Sequence, residues 1–367
     1  MKIVCSQDDL LGRLQIAARG VSQRSTVQIL SGVLVRAEAQ GPVELAATDM
    51  ELSVRVTVPA QVHEPGSTVL PGRLLLEIVR ALPQSEVTIE QTPGTGAVRI
   101  ACGSSEYSLH AQGAEDFPHL PEASGPSFTL ERDSFVSTIN YVARAASRDE
   151  SRPVLTGILV EFGDGRVTMA ATDSYRLSVK EAVVPGSGGD AQAIVPARAL
   201  VELGRIAAAV DADSIHVSIG ENQILFGVEG VWLSARRIDG QFPNYRQLLP
   251  QAFEHEIPAA RSELLDVVRR TALMAQRTLP LRLAFEPGKL TISAQTQDVG
   301  EAHESIPVDF HGEPLEIGFN AEFLRDGIES VEGDTVRLKL ISPLRPGLVQ
   351  GEDGSFSYLI MPIRLST

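Results

Sequence analysis

Hydrophobic and polar positions along this chain follow two periods, and the same order of periods occurs three times. A short alternating run at 3–5 precedes apolar residues at Leu10, Leu14, Ala17 and Val21, the spacing of one buried helix face. This pattern predicts a strand and then a helix from about Asp8 to Arg19. Equivalent helix stripes follow a run at 128–130 and a run at 254–257, and they comprise Phe135, Ile139, Val142 and Ala146, then Leu264, Val268, Thr271 and Ala275.

Each of these helices is followed by alternating runs, which predict strands, and by a second helix. Alternation is clearest at 33–36, 52–58, 158–162 and 290–293. The second helices are predicted at 73–82, 197–210 and 321–331, and strands at 86–89, 214–219 and 335–340 follow them. Each copy therefore contains two units of one strand, one helix and further strands, and antiparallel sheets of this kind indicate an α+β fold.

Short sequence repeats fix the period of the three copies. The tetrapeptide Ala46-Ala-Thr-Asp49 returns 124 residues later as Ala170-Ala-Thr-Asp173, and a weaker echo begins at Ala294. Such a period exceeds the roughly 20–50 residues of stacked repeats and suits a whole domain. Proline-rich stretches at 118–126 and 243–250 indicate the junctions. We therefore expect three tandem domains at 1–124, 125–251 and 252–367.

Composition describes an ordinary globular protein that carries an excess of acid. Apolar residues make up 43% and charged residues 22%, and the net charge is −15. This charge argues against nucleic-acid binding unless the basic residues are segregated on one surface. No apolar run approaches the ~20 residues that cross a bilayer, and Cys5 and Cys102 lack metal-site or CxxC spacing. We expect reduced thiols and a cytoplasmic location.

The basic residues are mostly arginine and recur on the predicted helices. Of 32 basic residues, 28 are arginine, and Arg73 and Arg80 are echoed by Arg198 and Arg205 with the same separation of seven. Arginines that lie opposite an apolar stripe or late in a helix are typical of any solvated helix face. Their repetition also suits a single positive surface that contacts phosphates. Both interpretations remain open on composition alone, and the second predicts weak binding.

No catalytic constellation is present in the sequence. Nucleophile-elbow, HExxH, zinc-ligand and P-loop spacings are all missing, and the seven histidines are scattered. Asp49 and Asp173 recur at equivalent positions and could be paired catalytic carboxylates, although turn or cap roles explain them better. A scaffold that binds partners through a peptide cleft, without nucleic acid, is the other alternative.

Three longer motifs carry a family resemblance. They are Ala170–Leu177 (AATDSYRL), Asp239–Arg246 (DGQFPNYR) and the tail Met361–Leu365 (MPIRL). With the three-copy order, they make the chain similar over its full length to the bacterial DNA polymerase III β subunit, the sliding-clamp family. The resemblance implies three DNA-clamp domains, a head-to-tail homodimeric ring with helices inside and sheets outside, and duplex DNA through its channel. It implies a non-catalytic processivity factor without cofactor or metal.

The resemblance also implies partners and site residues. The partners would be the catalytic subunit of DNA polymerase III, a clamp-loader ATPase, and other polymerases and repair proteins that carry short linear motifs, with the protein nucleoid-associated during replication. The DNA-binding residues would be Arg24, Arg73, Arg80, Arg148, Arg152, Arg198, Arg205 and Arg277. A partner-peptide cleft between the second and third domains would comprise Leu155, Thr172, Ser174, Tyr175, Arg176, Leu177, Pro243, Leu248, Leu359, Met361, Pro362, Ile363 and Arg364. Tyr107 and Leu109 would meet Ala272 and Leu273 of a second chain, with acidic Asp298, Glu301 and Glu304 facing Arg99 or its neighbours.

Overall fold

The structure is a computed structural model, and it describes residues 1–22, 25–92, 96–184, 189–275, 279–296 and 300–365. Three residues predicted to have functional roles, Arg24, Arg277 and Asp298, lie outside the described residues.

The first half of the chain forms strands interrupted by helices at the predicted places. These strands are β1 (Lys2–Ser6), β2 (Gly32–Ala37), β3 (Val43–Thr48), β4 (Leu52–Val58), β5 (Gln61–Glu64), β6 (Gly66–Pro71), β7 (Glu86–Thr92), β8 (Ala97–Cys102), β9 (Ser105–His110), β10 (Ser127–Glu131), β11 (Gly157–Gly163), β12 (Arg166–Thr172) and β13 (Arg176–Val183).

The second half of the chain continues the same alternation. Its strands are β14 (Ala191–Pro196), β15 (Ser214–Ile219), β16 (Gln223–Val228), β17 (Val231–Arg236), β18 (His255–Ala260), β19 (Leu281–Glu286), β20 (Lys289–Thr296), β21 (Gly300–Pro307), β22 (Leu315–Phe319), β23 (Thr335–Leu340), β24 (Gly347–Gln350) and β25 (Phe356–Ile360).

The six predicted helices are present, and a single-turn helix accompanies them. The helices are α1 (Gln7–Ala17), α2 (Gly72–Ala81), α3 (Arg132–Ala143), α4 (Pro153–Thr156), α5 (Ala197–Ala207), α6 (Arg261–Thr271) and α7 (Ala321–Glu329). None of the described helices is both long and apolar enough to cross a membrane.

The first helix of each copy ends earlier than the apolar stripe predicted. Val21, Ala146 and Ala275, the last positions of the three stripes, all lie beyond the helix ends. In the first and third copies a 3-10 turn replaces the final α-helical turn, at Ala18–Gly20 and Ala272–Met274. Val21, Ala146 and Ala275 are partly buried, so the stripe continues where the α-helix does not.

The described chain divides into two compact units. Unit 1 consists of Met1–Asp133 and Arg198–Arg237, and unit 2 of Ser134–Ala197 and Ile238–Thr367. The division runs through the second copy, whose strands are shared between the units. The repeats and the compact units therefore differ, because backbone pairing joins neighbouring copies edge to edge.

Unit 1 contains two antiparallel sheets. One has the strand order β5-β1-β7-β8-β9, and the other β10-β15-β16-β17-β4-β3-β2-β6. The pairing of β17 with β4, with Ser234 opposite Ser53, joins strands of the second copy to strands of the first. Alternate residues of β4 are buried, as the period of two in its sequence predicted.

Unit 2 repeats this plan. Its larger sheet has the order β14-β11-β12-β13-β25-β24-β23-β18, and its smaller sheet the order β21-β20-β19-β22. Here β13 pairs with β25, which places Leu177 opposite Leu359. The C-terminal strand thus lies inside the larger sheet, between strands of the second and third copies.

Candidate functional site

The turn between β12 and β13 is built by its own polar side chains. The Thr172 hydroxyl donates to the Arg176 carbonyl at 2.7 Å and accepts from the Ser174 amide at 3.2 Å. The Asp173 carboxylate accepts from the amides of Tyr175 and Arg176. Ser174 has φ of +81°, which such a tight turn requires of its third residue.

The first copy forms the same turn, and this defines the role of the repeated aspartates. The Asp49 carboxylate accepts from the amides of Glu51 and Leu52 at 3.1 and 2.8 Å. Met50 has φ of +77°, close to that of Ser174. The turn role predicted for Asp49 and Asp173 is confirmed. No group of three or more His, Cys, Asp or Glu side chains in the described part of the chain could hold a metal ion.

The C-terminal tail is fixed against this turn at two points. The Met361 amide donates to the Tyr175 carbonyl at 2.8 Å, and the Ile363 amide donates to the Gly318 carbonyl at 2.8 Å. A Cβ atom at Gly318 would lie 2.7 Å from the Ile363 carbonyl oxygen, so only glycine permits this approach. The tail therefore runs from the larger sheet of unit 2 to its smaller sheet.

An apolar cluster lies beneath the turn and the tail. Leu177 and Leu359 belong to it, and so do Phe242 and Tyr245 of the junction segment. The Tyr245 hydroxyl donates to Glu161 at 2.9 Å, and Arg246 also binds this carboxylate. Burial, and then the Glu161 carboxylate, raise the pKa of Tyr245 above its ordinary value. The remaining members of the cluster are Leu159, Ala170, Val179, Ile194 and Leu348, with Val154, Ile238, Leu249 and Phe253 packed against it.

Three large apolar side chains from different segments stay exposed around this cluster. Tyr175 is 63% exposed, Leu248 50% and Met361 44%. The other predicted cleft residues vary: Ser174, Pro243 and Arg364 are exposed, Leu155, Arg176, Pro362 and Ile363 are partly buried, and Thr172, Leu177 and Leu359 are buried. Turn, junction and tail thus combine a buried apolar base with exposed apolar side chains.

Arg176 is engaged within the chain. Its side chain, only 9% exposed, lies 3.0 Å from Asp173 and 2.7 Å from Asp326 of α7. It also donates to the Tyr358 hydroxyl at 3.0 Å and stacks over the Phe323 ring at 4.2 Å. Burial alone would lower the pKa of this guanidinium, but the charges and hydrogen bonds of Tyr358, Asp326 and Asp173 raise it. Arg176 therefore ties the turn to α7 and offers a partner little surface.

Further ion pairs connect Asp326 and Glu329 of α7 to Arg144 and Arg269. Arg144 lies 3.8 Å from Asp326 and 2.6 Å from Glu329, and Arg269 binds Glu329 at 2.9 Å. Although burial opposes ionisation, the hydrogen bonds from Arg144 and Arg269 lower the pKa of Glu329. Sequence analysis missed Asp326 and Glu329, because a carboxylate on a helix carries no sign of the arginine that it will meet.

The predicted DNA-binding arginines of unit 1 are mostly paired with carboxylates. Arg73 lies 3.2 Å from Glu77 and Arg198 lies 2.9 Å from Asp49, while Arg205 binds Glu202. Arg80 is exposed and has no ion pair or hydrogen bond to a described residue. The arginine of each pair is more than half exposed, and the pair of Arg73 with Glu77, exposed on both sides, contributes little stability.

Unit 2 contributes Arg148 and Arg152 of the predicted set. Arg152 binds Asp149 at 2.9 Å and the Ser174 hydroxyl at 3.0 Å, so it contacts the turn between β12 and β13. Arg148 is exposed and has no partner in the described ranges.

The predicted dimer residues occupy a sheet edge and a helix end. Tyr107 and Leu109 lie on β9, an edge of the five-stranded sheet, with Tyr107 exposed and Leu109 buried. Leu273, in the 3-10 turn after α6, is 79% exposed, and Ala272 beside it is partly buried. Two of the charges predicted to meet across the dimer have partners in their own chain: Arg99 binds Glu106, and Glu304 binds Arg270.

Comparison with known proteins agrees with this architecture. The sequence profiles of the DNA polymerase III beta subunit match the chain at 1–121 (N-terminal domain), 129–244 (central domain) and 246–364 (C-terminal domain). A beta sliding clamp of Streptomyces coelicolor is 35% identical, with all of both chains covered.

Two solved structures cover the whole chain and are themselves wholly covered. The sliding clamp of Bacillus subtilis has a TM-score of 0.95 at 28% identity. The sliding clamp of Pseudomonas aeruginosa bound to griselimycin has a TM-score of 0.94 at 28% identity. Three consecutive domain matches and a relative aligned over the full length of both chains lead to one conclusion: this chain belongs to the DNA polymerase III beta subunit family, the bacterial sliding clamps, which are processivity factors without catalytic activity of their own.

Proposed function

We propose that this sliding clamp acts as a head-to-tail homodimer that encircles duplex DNA. The proposal divides the chain into clamp domains 1–124, 125–251 and 252–367, six of which close the ring around the DNA. Support comes from the arginines, since most of the described ones are already paired within the chain and would hold phosphates only weakly. A ring retains DNA by enclosure and does not need tight contacts.

Partner proteins dock, in this proposal, at the turn, junction and tail of unit 2. The observation that carries the assignment is the exposure of Tyr175, Leu248 and Met361 around a buried apolar base. An extended peptide can bury two or three apolar side chains there at ~1.5–3 kcal/mol each, less the cost of ordering. The resulting affinity, around micromolar, suits partners that exchange.

The proposed partners are the polymerase III catalytic subunit, the clamp-loader ATPase, and other polymerases and repair proteins that carry short linear motifs. The exposed methionine and leucine support this range, because flexible apolar side chains repack around different peptides. The same proposal places the protein in the cytoplasm, associated with the nucleoid during replication.

The test of the function is retention on DNA of different topology. A bacterial clamp loader and ATP place the protein on a nicked circular plasmid, and gel filtration separates DNA-bound from free protein. We expect the clamp to stay with the circle and to leave within minutes once a restriction enzyme linearises the plasmid. Equal retention on circular and linear DNA would contradict encirclement, and no association with either would favour a scaffold that does not bind DNA.

A further inference from the structure

Unit 1 contains a polar pocket at the position equivalent to the proposed peptide cleft. The pocket has a volume of about 360 Å³, within the range of ligand sites. Its walls come from the β3–β4 turn, the ends of β16 and β17, and the first junction segment. Its lining residues include Thr48, Met50, Glu51, Ser53, Ser234 and Arg236.

The backbone of this pocket matches that of the proposed cleft. The Thr48 hydroxyl accepts from the Met50 amide at 3.0 Å, as Thr172 does from Ser174. The Arg236 amide donates to the Glu51 carbonyl at 2.9 Å, and the Met361 amide donates to the Tyr175 carbonyl at 2.8 Å. The two sites thus share a turn and a strand end.

The side chains at the base of the two sites differ in polarity. Ser53 and Ser234 face each other across β4 and β17, at the register position that Leu177 and Leu359 hold in unit 2. Ser234 lines the pocket and makes no side-chain hydrogen bond to a described residue, whereas the Ser53 hydroxyl pairs with the Thr48 hydroxyl at 2.8 Å. The Ser234 hydroxyl is therefore available to a polar group of a ligand in the pocket.

The rim carries charges that are not engaged elsewhere. The exposed side chains of Glu51 and Arg236 make no ion pair with a described residue. Glu51 belongs to the β3–β4 turn and Arg236 ends β17, so the rim offers a carboxylate acceptor and a guanidinium donor that can fix the direction of a bound chain.

We propose that this pocket is a second peptide site that selects amide and hydroxyl side chains. The inference that the ligand is a peptide rests on the proposed function of the equivalent cleft. The inference that the site prefers polar side chains rests on Ser53 and Ser234. An apolar anchor there would leave the Ser234 hydroxyl without a partner, but a glutamine or serine side chain can form a hydrogen bond with it. One chain then carries two docking sites of one backbone design, one with an apolar base and one with a polar base.

Methionine methyl NMR of the full-length protein reports ligand binding at both sites in one spectrum, because Met50 lines the pocket and Met361 borders the cleft. The polar probe is acetyl-Gln-Ser-Gln-Ser-Gln-amide, and the apolar probe is acetyl-Leu-Ser-Leu-Ser-Leu-amide. We expect the polar peptide, titrated to about 1 mM, to shift the Met50 signal and leave Met361 in place. The apolar peptide should do the reverse.

The double variant Ser53→Ala, Ser234→Ala should weaken the Met50 response to the polar peptide about tenfold or more. The matched control is Ser67→Ala, an exposed serine of the same sheet outside the pocket, which should respond like the parent. The proposal is overturned if Met50 does not move, if the double variant responds like the parent, or if inorganic phosphate shifts Met50 as strongly as the peptide. Failure of Met361 to respond to the apolar peptide would contradict the cleft alone.

Discussion

At the scale of single residues, the least predictable contacts are those of Arg176. Its motif predicted a cleft residue, but the guanidinium is enclosed by Asp173, Asp326 and Tyr358. A glycine of α7 makes this possible, because a Cβ atom at Gly327 would lie 2.6 Å from the Tyr358 ring. Only the pairing of β13 with β25 brings these residues together, so local sequence could not reveal them.

We predict that Asp326→Asn lowers both stability and peptide affinity. Removing one partner of a buried pair leaves a charge uncompensated, and the loss should be about 3 kcal/mol because Asp173 still faces the guanidinium. The turn that holds Tyr175 also loses its tie to α7. Urea unfolding and peptide anisotropy measure the two effects. The control, Glu77→Gln, removes an exposed ion pair and should lower the free energy of unfolding by less than ~1 kcal/mol. An equal loss of stability in both variants would show that Asp326 does not hold the turn in place.

The two thiols should be inert in the folded protein. Cys5 and Cys102 are free and buried, and burial, with a smaller effect of Asp9, raises the pKa of Cys5 to about 12. The folded state therefore favours the neutral Cys5 thiol over the thiolate. The contribution of this thiol to the free energy of unfolding is complete below the unfolded pKa of about 8.5 and is lost as the pH rises towards the folded pKa. Ellman's reagent at pH 8 should label both only after urea is added; rapid labelling without urea would contradict the burial.

At the scale of elements, sequence periodicity located the helices and most strands, but not their ends. The stripe of each first helix continues past the helix end, where Val21, Ala146 and Ala275 are still partly buried although they are no longer α-helical. The C-terminal tail is a second segment in which periodicity could not predict where the element ends. Its apolar pattern fits both a core strand and a cleft wall: β25 ends at Ile360, and the tail from Met361 onwards leaves the strand and presents Met361 to solvent.

Deleting Met361–Thr367 should abolish binding of polymerase-derived peptides and leave the fold largely intact. The deleted segment provides the exposed Met361, and its described part holds the fold through the amides of Met361 and Ile363. We expect a peptide affinity at least tenfold weaker and a fall in Tm of only a few degrees, as for a loss of ~1 kcal/mol or less. Fluorescence anisotropy and calorimetry measure the two quantities.

A longer deletion provides the control for this experiment. Removing Phe356–Thr367 takes out β25, which pairs with β13 on one side and β24 on the other, and should unfold unit 2. If the shorter deletion also unfolds the protein, the tail is a core element first and the cleft assignment loses its main support.

At the scale of the whole chain, the repeats were visible in sequence, but the pairing between them was not. The period of 124 residues identified three copies, whereas β17–β4 and β13–β25 pairing joins neighbouring copies into shared sheets. Which edge of one copy meets the next depends on long-range register, and that register is not encoded in any one segment. The same reasoning explains why the carboxylate partners of the arginines could not be foreseen.

The arginines without partners should contribute most to DNA contact. Arg80 and Arg148 are exposed and unpaired among the described residues, whereas Arg73 and Arg198 must first leave a carboxylate. Changing Arg80 and Arg148 together to alanine should flatten the salt dependence of duplex binding by up to ~1 per residue. Changing Arg73 and Arg198 should flatten it less.

Anisotropy of short linear duplexes at several salt concentrations measures this difference. The loss should be the same on A·T-rich and G·C-rich DNA, because phosphate contacts carry no sequence information. The control is Arg345→Ala, an exposed arginine of a loop outside the helices. A loss confined to one sequence would instead indicate base recognition.

The final prediction concerns assembly. The strands β9 and β21 are edges of their sheets, so each presents backbone groups without a strand partner on one side. Joining β9 of one chain to β21 of another would satisfy both edges, and Leu273 would cover Tyr107 next to that joint. A carboxylate at 273 would have to be buried there, so Leu273→Asp should give monomers at micromolar concentration by light scattering.

The control, Leu344→Asp, changes a comparably exposed leucine and should remain dimeric. Because a single chain cannot close a ring, the Leu273 variant should also fail to stay on circular DNA; a stable dimer would place the interface elsewhere.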